Sequence, residues 1–422
     1  MMESHLAAQV QDWVDDNWDT SLTVRQWWRR LADAGYAYPT WPPGLGGWGA
    51  SPREAAVVSG VLGANQVIGP PAGAVAASLA APTLLEHATE AQQLELVRPI
   101  ATGEAAWCQL FSEPGSGSDL ASVGTQAVPD GDEWVVWGQK VWNSAADSAD
   151  FGLLLARTDV DVPKYAGLTY FVIDMRQPGI EVRPLKQMNG ASNFCEVFLT
   201  EARVRAGHVV GAVNGGWRVA QTTLFHERNS VAGAGRRGLV MARSGSTGDL
   251  AREVSEVLGQ AHQAARARKS PIRAGAVPVK LMVQLAQTYG RSDDPVIRQR
   301  VASYVARVRI NGWTMRRSAA AGGKLTGADG SIAKLTTARI CQESRDLSYA
   351  IVGANGMLTG RPSPLEGDLQ MVNLASPGNR LGGGTDEIQL NVLGEKALGL
   401  PREPSVDKDV PYRQLKVGGT GR

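Results

Sequence analysis

Apolar residues in the first part of the chain recur at helical spacing. Val10, Trp13, Val14 and Trp18, then Trp27, Trp28 and Leu31, fall mostly three and four apart and predict amphipathic helices. A Pro/Gly-rich break runs from Pro39 to Pro52, and a further helix is expected over Glu90–Thr102. From Ala106 to Val210 the period shortens. Trp107–Phe111, Trp134–Trp137, Phe151–Arg157, Leu168–Ile173 and Phe194–Leu199 are short apolar runs between Gly, Pro, Asp and Asn, the pattern of strands. Asp130-Gly131-Asp132 signals a hairpin turn.

After Gly215-Gly216 the helical spacing returns. Val296, Ile297, Val301, Tyr304, Val305, Val308 and Trp313 form one stripe, entered at Pro295. Ile332–Ile351, ending at Gly353, and Asp386–Leu398 predict two more helices. The segment Met241–Val279 is less regular. Asp249 can cap a helix carrying Leu250, Val254, Val257, Leu258 and Ala261, which runs into Arg266, Arg268, Lys269 and Arg273. A solvated loop-plus-helix excursion is the preferred reading, and a docking patch for a phosphate-bearing ligand or partner is the other. The order is therefore helices (1–105), strands (106–212), helices (213–402, with an insertion over 243–277) and a polar tail (403–422) expected to fray. This segregation predicts an α+β chain and argues against a βαβ parallel sheet.

Charge narrows the function. The 422 residues carry 43 Lys and Arg against 41 Asp and Glu, a net charge of +2. That balance argues against a nucleic-acid partner and a polybasic membrane surface. With 43% hydrophobic and 20% charged residues the composition is that of a globular protein. Cys108, Cys195 and Cys341 are far apart, so no disulfide framework or metal pair is expected. Met1–Gln11 lacks a secretory pattern, and a cytoplasmic setting is expected. Ala55–Leu85 holds no charge and is long enough to cross a bilayer, but Asn65, Gln66, Pro70, Pro71 and Pro82 fit packed soluble helices better.

Several motifs fail. The GxGxxG matches at Gly44–Gly49 and Gly233–Gly238 lack the strand-then-helix setting that cradles a pyrophosphate. His226-Glu227 begins an HExxH pattern that ends on Ser230, so no metal is expected. The informative run is Leu110-Phe111-Ser112-Glu113-Pro114-Gly115-Ser116-Gly117-Ser118-Asp119. Its turn offers backbone N–H groups and hydroxyls to an anion or a polar heterocycle. Gly138-Gln139-Lys140-Val141-Trp142-Asn143-Ser144 then sets a Trp beside small polar residues. That suits a flat cofactor, but taken alone the run is better read as a core Trp at a hairpin corner.

The run Trp107–Arg157 resembles the flavin-binding β-domain of the acyl-CoA dehydrogenase family, with its Glu-Pro-x-x-Gly-Ser-Asp turn, Gly-x-Lys-x-Trp and Ala-Asp before a strand. Pro178-Gly179-Ile180, Met188-Asn189-Gly190 and Glu196-Val197-Phe198 resemble its later strands. Gly353-Ala354-Asn355-Gly356 and Gly383-Gly384-Thr385-Asp386-Glu387-Ile388-Gln389 resemble its C-terminal signatures. The resemblance implies a helical N-terminal domain, a central β-barrel-like domain and a C-terminal four-helix bundle. It implies FAD lined by Gln109, Phe111, Ser112, Gly117, Ser118, Trp142 and Ser144, with Gly353, Ala354, Thr385 and Glu387 serving the cofactor's far end across a subunit interface. It also implies an acyl-CoA substrate, an electron-transfer flavoprotein or similar acceptor, and a dimer or tetramer, homomeric or with a paralogous subunit. Ala286-Gln287-Thr288-Tyr289-Gly290 departs from the family's Arg-x-x-Phe-Gly, with Arg291 nearby as a substitute.

The family's reaction takes a proton from the α-carbon of a thioester and passes a hydride to the flavin, giving the trans-2-enoyl-CoA. Where many members carry the catalytic Glu this chain has Gly383, which cannot take a proton. Isovaleryl-type members instead place the Glu on an earlier helix in a Leu-x-x-Glu-Arg context. Leu224-Phe225-His226-Glu227-Arg228 matches that, so Glu227 is the expected base. The alternatives are a catalytically silent or half-site subunit of a hetero-oligomer, or a same-fold flavoprotein acting on a carrier-protein-bound acyl group.

Overall fold

The computed structural model describes all residues except 1, 72, 74, 231–238, 268–271, 273–274, 321–326, 406 and 416–422. The second glycine motif, Gly233–Gly238, and Arg268, Lys269 and Arg273 of the basic run lie outside the described residues.

The N-terminal helices are α1 (Met2–Asn17), α2 (Val24–Asp33), α3 (Pro52–Ala64), α4 (Ala81–His87), α5 (Glu90–Leu96) and α6 (Arg98–Ala101). Three of their starts are written locally. Thr23, Ser51 and Thr89 each accept from a backbone N–H three residues on, while Gln26, Glu54 and Gln92 reach back to the cap. Trp27 and Trp28 are fully buried, and their indole N–H groups donate to Ile68 O (2.6 Å) and Gly69 O (2.8 Å). This pins the uncharged stretch against the N-terminal core; no helix among the described residues is long and apolar enough to cross a membrane. The first glycine motif is a packing turn. A Cβ on Gly47 would lie 2.2 Å from Tyr38 O, and Tyr38 stacks on Trp41 at 3.9 Å.

Seven strands follow: β1 (Trp107–Leu110), β2 (Gln126–Asp130), β3 (Glu133–Ser144), β4 (Phe151–Arg157), β5 (Leu168–Asp174), β6 (Ile180–Leu185) and β7 (Phe194–Arg205). β2, β3, β7 and β6 pair antiparallel, with Gly131 (φ +66°) turning the β2–β3 hairpin. β4 pairs antiparallel with β5 and parallel with β1, and the single pair Gln126–Arg157 joins the two groups. The sheet separates two cores by strand alternation. Cys108 and Leu110 face the β-domain core, whereas Trp107 and Phe111 belong to the core shared with the N-terminal helices.

The C-terminal helices are α7 (Gly216–Ser230), α8 (Val254–Ala267), α9 (Val279–Thr288), α10 (Pro295–Ala320), α11 (Gly327–Val352), α12 (Asp368–Ala375), α13 (Gly378–Leu381) and α14 (Asp386–Asn391). α11 is the hub and packs on α7, α9, α10 and α14. The expected α10 stripe is buried only in part. Ile297 and Tyr304 enter the core, but Val296 and Trp313 stay 64% and 59% exposed.

Two expectations are corrected. The first part of the segment read as a solvated excursion, through Val257, is a strap across the N-terminal domain, while the expected helix continues as α8 with residues 259–264 mostly exposed. Val240 exchanges backbone hydrogen bonds with Val67 and Gly69, Leu250 O accepts from Arg25 N, and Arg252 O accepts from Val24 N. Leu250, Val254 and Val257 are buried in the core built on Trp27 and Trp28. The tail does not fray over Asp407–Gln414. Tyr412 N and Arg413 N donate to Val162 O and Val160 O, and Asp407 meets Lys164 at 2.6 Å.

Candidate active site

The site starts from how α7 meets the sheet. A Cβ on Gly216 would lie 2.5 Å from the backbone of Thr169 and Tyr170, so glycine lets the helix start directly on β5. Two turns further, Thr223 Oγ1 lies 2.9 Å from both Tyr170 Oη and Thr83 Oγ1, in a buried hydroxyl cluster. One more turn brings Glu227 to β1, where Gln109 Nε2 donates to Glu227 Oε2 at 3.3 Å. Burial pushes the Glu227 carboxyl above the usual carboxylate range, and the Gln109 hydrogen bond and Arg228 charge offset it only in part.

Gly383 arrives from the other end of the chain. Its carbonyl accepts from Gln389 Nε2 at 2.8 Å, and Gln389 Oε1 accepts from Ser331 Oγ on α11 at 2.7 Å. The loop is left-handed at Gly383 (φ +70°) and Gly384 (φ +85°). A Cβ built on Gly383 would lie 3.9 Å from Glu227 Oε1. The Gly383 loop and the Glu227 carboxyl therefore border one space.

A second chain of contacts leads from Gln109 to the aromatic platform. Gln109 O accepts from Asn143 Nδ2 at 2.7 Å, and Asn143 sits between Trp142 and Ser144. The β3–β7 register shifts between Lys140 and Asn143, and Trp142 holds a left-handed backbone (φ +65°). Such a conformation is strained for a bulky residue. The bulge turns the indole out, leaving Trp142 56% exposed with its edge toward Phe194. Ser144 is exposed beside it, and the Asn143 Oδ1 acceptor is buried with no hydrogen-bond partner among the described residues. An outward indole flanked by a hydroxyl fits a planar heterocycle.

The turn after β1 is fixed from beneath. Buried Lys140 Nζ donates to Phe111 O (3.0 Å), Leu155 O (2.8 Å) and Glu113 Oε1 (2.8 Å). Glu113 also accepts from Gly124 N and Thr125 N. Burial opposes the Glu113 charge, but Lys140 and these donors outweigh it and hold the carboxyl below the usual range. Burial also lowers the Lys140 ammonium, which Glu113 only partly restores. Ser112 O accepts from Val141 N, which lays the turn along β3. Phe111 is buried with its ring centroid 5.8 Å from that of Tyr170 in a T-shaped contact, while Gly117 and Ser118 are exposed, with open space around Gly117.

Of the expected site residues, Gln109 and Glu227 touch, and Trp142 and Ser144 join them through Asn143. The Gln109 side chain is committed to the carboxylate. Gly353 (φ +55°) and Ala354 lie on an exposed turn after α11. Thr385 caps α14 by accepting from Ile388 N, and Glu387 is exposed near Arg380. Arg291 pairs with Asp294 at 2.7 Å. Sequence reasoning missed Asn143 and Lys140 as organisers; a polar residue and a Lys inside a strand were the available signals. The three cysteines are buried and none is in a disulfide, and the described residues hold no cluster of metal-ligating side chains.

Family models described as the acyl-CoA dehydrogenase N-terminal, middle and C-terminal domains match residues 1–104, 108–202 and 272–398. The chain is 38% identical over 374 residues to acyl-CoA dehydrogenase FadE34 of Mycobacterium tuberculosis; the match covers 88% of this chain but 46% of that protein. This chain thus spans about half the length of that relative. It is 32% identical over 414 residues to acyl-CoA dehydrogenase IpdE1 of the same organism, covering 94% of this chain and 97% of that one. Its fold superposes on the solved Tcur3481-Tcur3483 steroid ACAD with a TM-score of 0.66 at 25% identity, covering 95% and 98% of the two chains.

Proposed function

Since the chain belongs to the acyl-CoA dehydrogenase family, we propose that it oxidises the Cα–Cβ bond of an acyl-CoA thioester to the trans-2-enoyl-CoA, with Glu227 as the base and FAD as the oxidant. The observation that carries this reading is the convergence of Glu227 and Gly383. The carboxylate lost from the C-terminal loop is replaced, within 3.9 Å of that loop's would-be Cβ, by one from α7.

Each residue has a defined task. Glu227 takes the α-proton; its burial makes the ionised form a stronger base than a solvated carboxylate. Gln109 orients it by donating to Oε2, which leaves Oε1 on the Gly383 side. Trp142 and Ser144 offer a ring face and a hydroxyl to the isoalloxazine, and the Ser112–Ser118 turn offers its hydroxyls and N–H groups. Bound flavin supplies the two-electron acceptor for the hydride that leaves the β-carbon.

The exposed Gly353–Ala354 turn and Glu387 suit the cofactor's far end in a neighbouring subunit. The active unit is then a dimer or tetramer of this chain, or a pairing with a paralogous subunit. An electron-transfer flavoprotein is the acceptor. The steroid ACAD neighbour makes polycyclic acyl-CoA esters the first substrates to test. The experiment is an absorption spectrum of the purified protein, followed by titration with short, branched and polycyclic acyl-CoAs. Bleaching of the bound flavin is the expected result. Glu227→Gln should retain flavin and lose α-proton exchange; exchange that survives unchanged would show that another group is the base.

A further inference from the structure

We infer that the carboxy-proximal segment Asp407–Gln414 supports the cofactor site from behind, and that Tyr412 is a positioning residue for the turn Glu113–Asp119. This rests on the reading of that turn as a flavin site. The argument begins with Arg157, a guanidinium buried at the end of β4. It donates to Ala121 O (2.6 Å), Lys164 O (2.8 Å) and Val123 O (3.3 Å), and its hydrogen bonds among the described residues go to backbone carbonyls. The remaining face of the guanidinium is covered by the Tyr412 ring, 3.8 Å away. A desolvated cation stacked on an aromatic face is held more strongly than an exposed one.

Arg157 and Tyr412 together grip the loop Ala121–Thr125, and this loop is what the cofactor turn hangs on. Ser116 Oγ donates to Ser122 O at 2.9 Å, and Tyr412 Oη donates to the same carbonyl at 3.4 Å. Glu113 accepts from Gly124 N and Thr125 N. Gly124 has no side chain where one would meet Tyr412: its Cβ would lie 3.3 Å from Tyr412 Oη. The other end of the turn is held in the same way. Lys164 Nζ bridges Asp119 Oδ2 (2.9 Å) and Asp407 Oδ2 (2.6 Å), so the segment is linked to both ends of the turn through one intermediary each. Its backbone is fixed by Tyr412 N to Val162 O and Arg413 N to Val160 O.

The segment does not reach the flavin position itself; it acts through Arg157, Lys164 and the loop. Removing the ring leaves Arg157 without its cover and frees the loop, so the turn occupies its binding geometry for a smaller fraction of the time. Affinity falls by that fraction.

The test uses the full chain. The flavin dissociation constant is measured for the wild type, Tyr412→Ala, Tyr412→Phe and Asp407→Asn, with hydrogen exchange of residues 112–125 followed in parallel. Tyr412→Ala should weaken flavin binding by about tenfold and speed exchange in that turn without speeding it in the N-terminal helices. Tyr412→Phe keeps the ring and should restore nearly all of the affinity. Asp407→Asn, at a surface position that does not threaten the fold, should shift both readouts in the same direction by less. Unchanged affinity and turn exchange in both Tyr412→Ala and Asp407→Asn would overturn the inference, as would uniform loss of protection across the chain in Tyr412→Ala with no effect of Asp407→Asn. A wild-type protein that binds no flavin would overturn the site reading itself, and this inference with it.

Discussion

Glu227 holds its proton more tightly than a carboxyl in water, because burial outweighs the help from Gln109 and Arg228. In the unfolded chain the group returns to about 4.3. Between that value and the raised one the folded state keeps a proton that the unfolded state releases. Stability from this group is therefore present at low pH and is lost as pH rises through the folded pKa. Glu227→Gln should be more stable than the wild type at neutral pH, and the difference should vanish below about pH 4. Urea denaturation of both proteins across pH 4–8 reads this directly; a variant that is less stable throughout would mean that ionised Glu227 is well compensated. The catalytic consequence has the same origin. The acid limb of kcat/KM should fall at a pH above the ordinary glutamate range.

At the scale of elements, α7 carries the proposed base, Glu227, on a helix that starts against β5 without clearance. Gly216→Ala puts a methyl 2.5 Å from the Thr169 and Tyr170 backbone, so the root of the helix must move. Eleven residues further on, about 16 Å along the axis, Glu227 moves with it. The expected loss is about 1–3 kcal/mol of stability and up to about a hundredfold in kcat, read by thermal melting and steady-state kinetics. If kcat stays at the wild-type level, the helix does not transmit its position to the base. Local signals made much of this scale legible in the sequence. The capping boxes, the Gly131 hairpin and the full span of β4 follow from short-range patterns. β2 escaped notice because Pro129 breaks the strand pattern at an end where it needs no ladder donor. The outward turn of Trp142 was hidden as well, since a bulge depends on the register of β7 and not on the residues of β3 alone.

For the whole molecule, the strap Leu239–Leu258 is a connection that the sequence shows only as an irregular stretch. Periodicity reveals that Leu250, Val254 and Val257 want a core; it does not say which core. They enter the one around Trp27 and Trp28, far back in the chain. Leu250→Ala should cost about 2–5 kcal/mol in denaturant unfolding and loosen the N-terminal helices in hydrogen exchange. A change below about 0.5 kcal/mol would mark the strap as a passive covering. The same limit on sequence reasoning governs the site. The residues Glu227, Gln109 and Gly383 could be singled out one by one, but their meeting is a long-range fact that only the packed helices supply.

Long-range closure also sets an order of events. The Tyr412–Ser122 hydrogen bond joins residues 290 apart in the chain, and the Lys164–Asp407 pair joins residues 243 apart. Contacts of such separation require large loops to be closed and tend to form slowly. During refolding, the strands around Lys140 and Glu113 can pair before the carboxy-proximal segment arrives. The turn between them then exists for a time in a loose form. Flavin capture should lag behind the return of secondary structure, as a slower phase whose rate follows the docking of Asp407–Gln414 and not the assembly of the sheet.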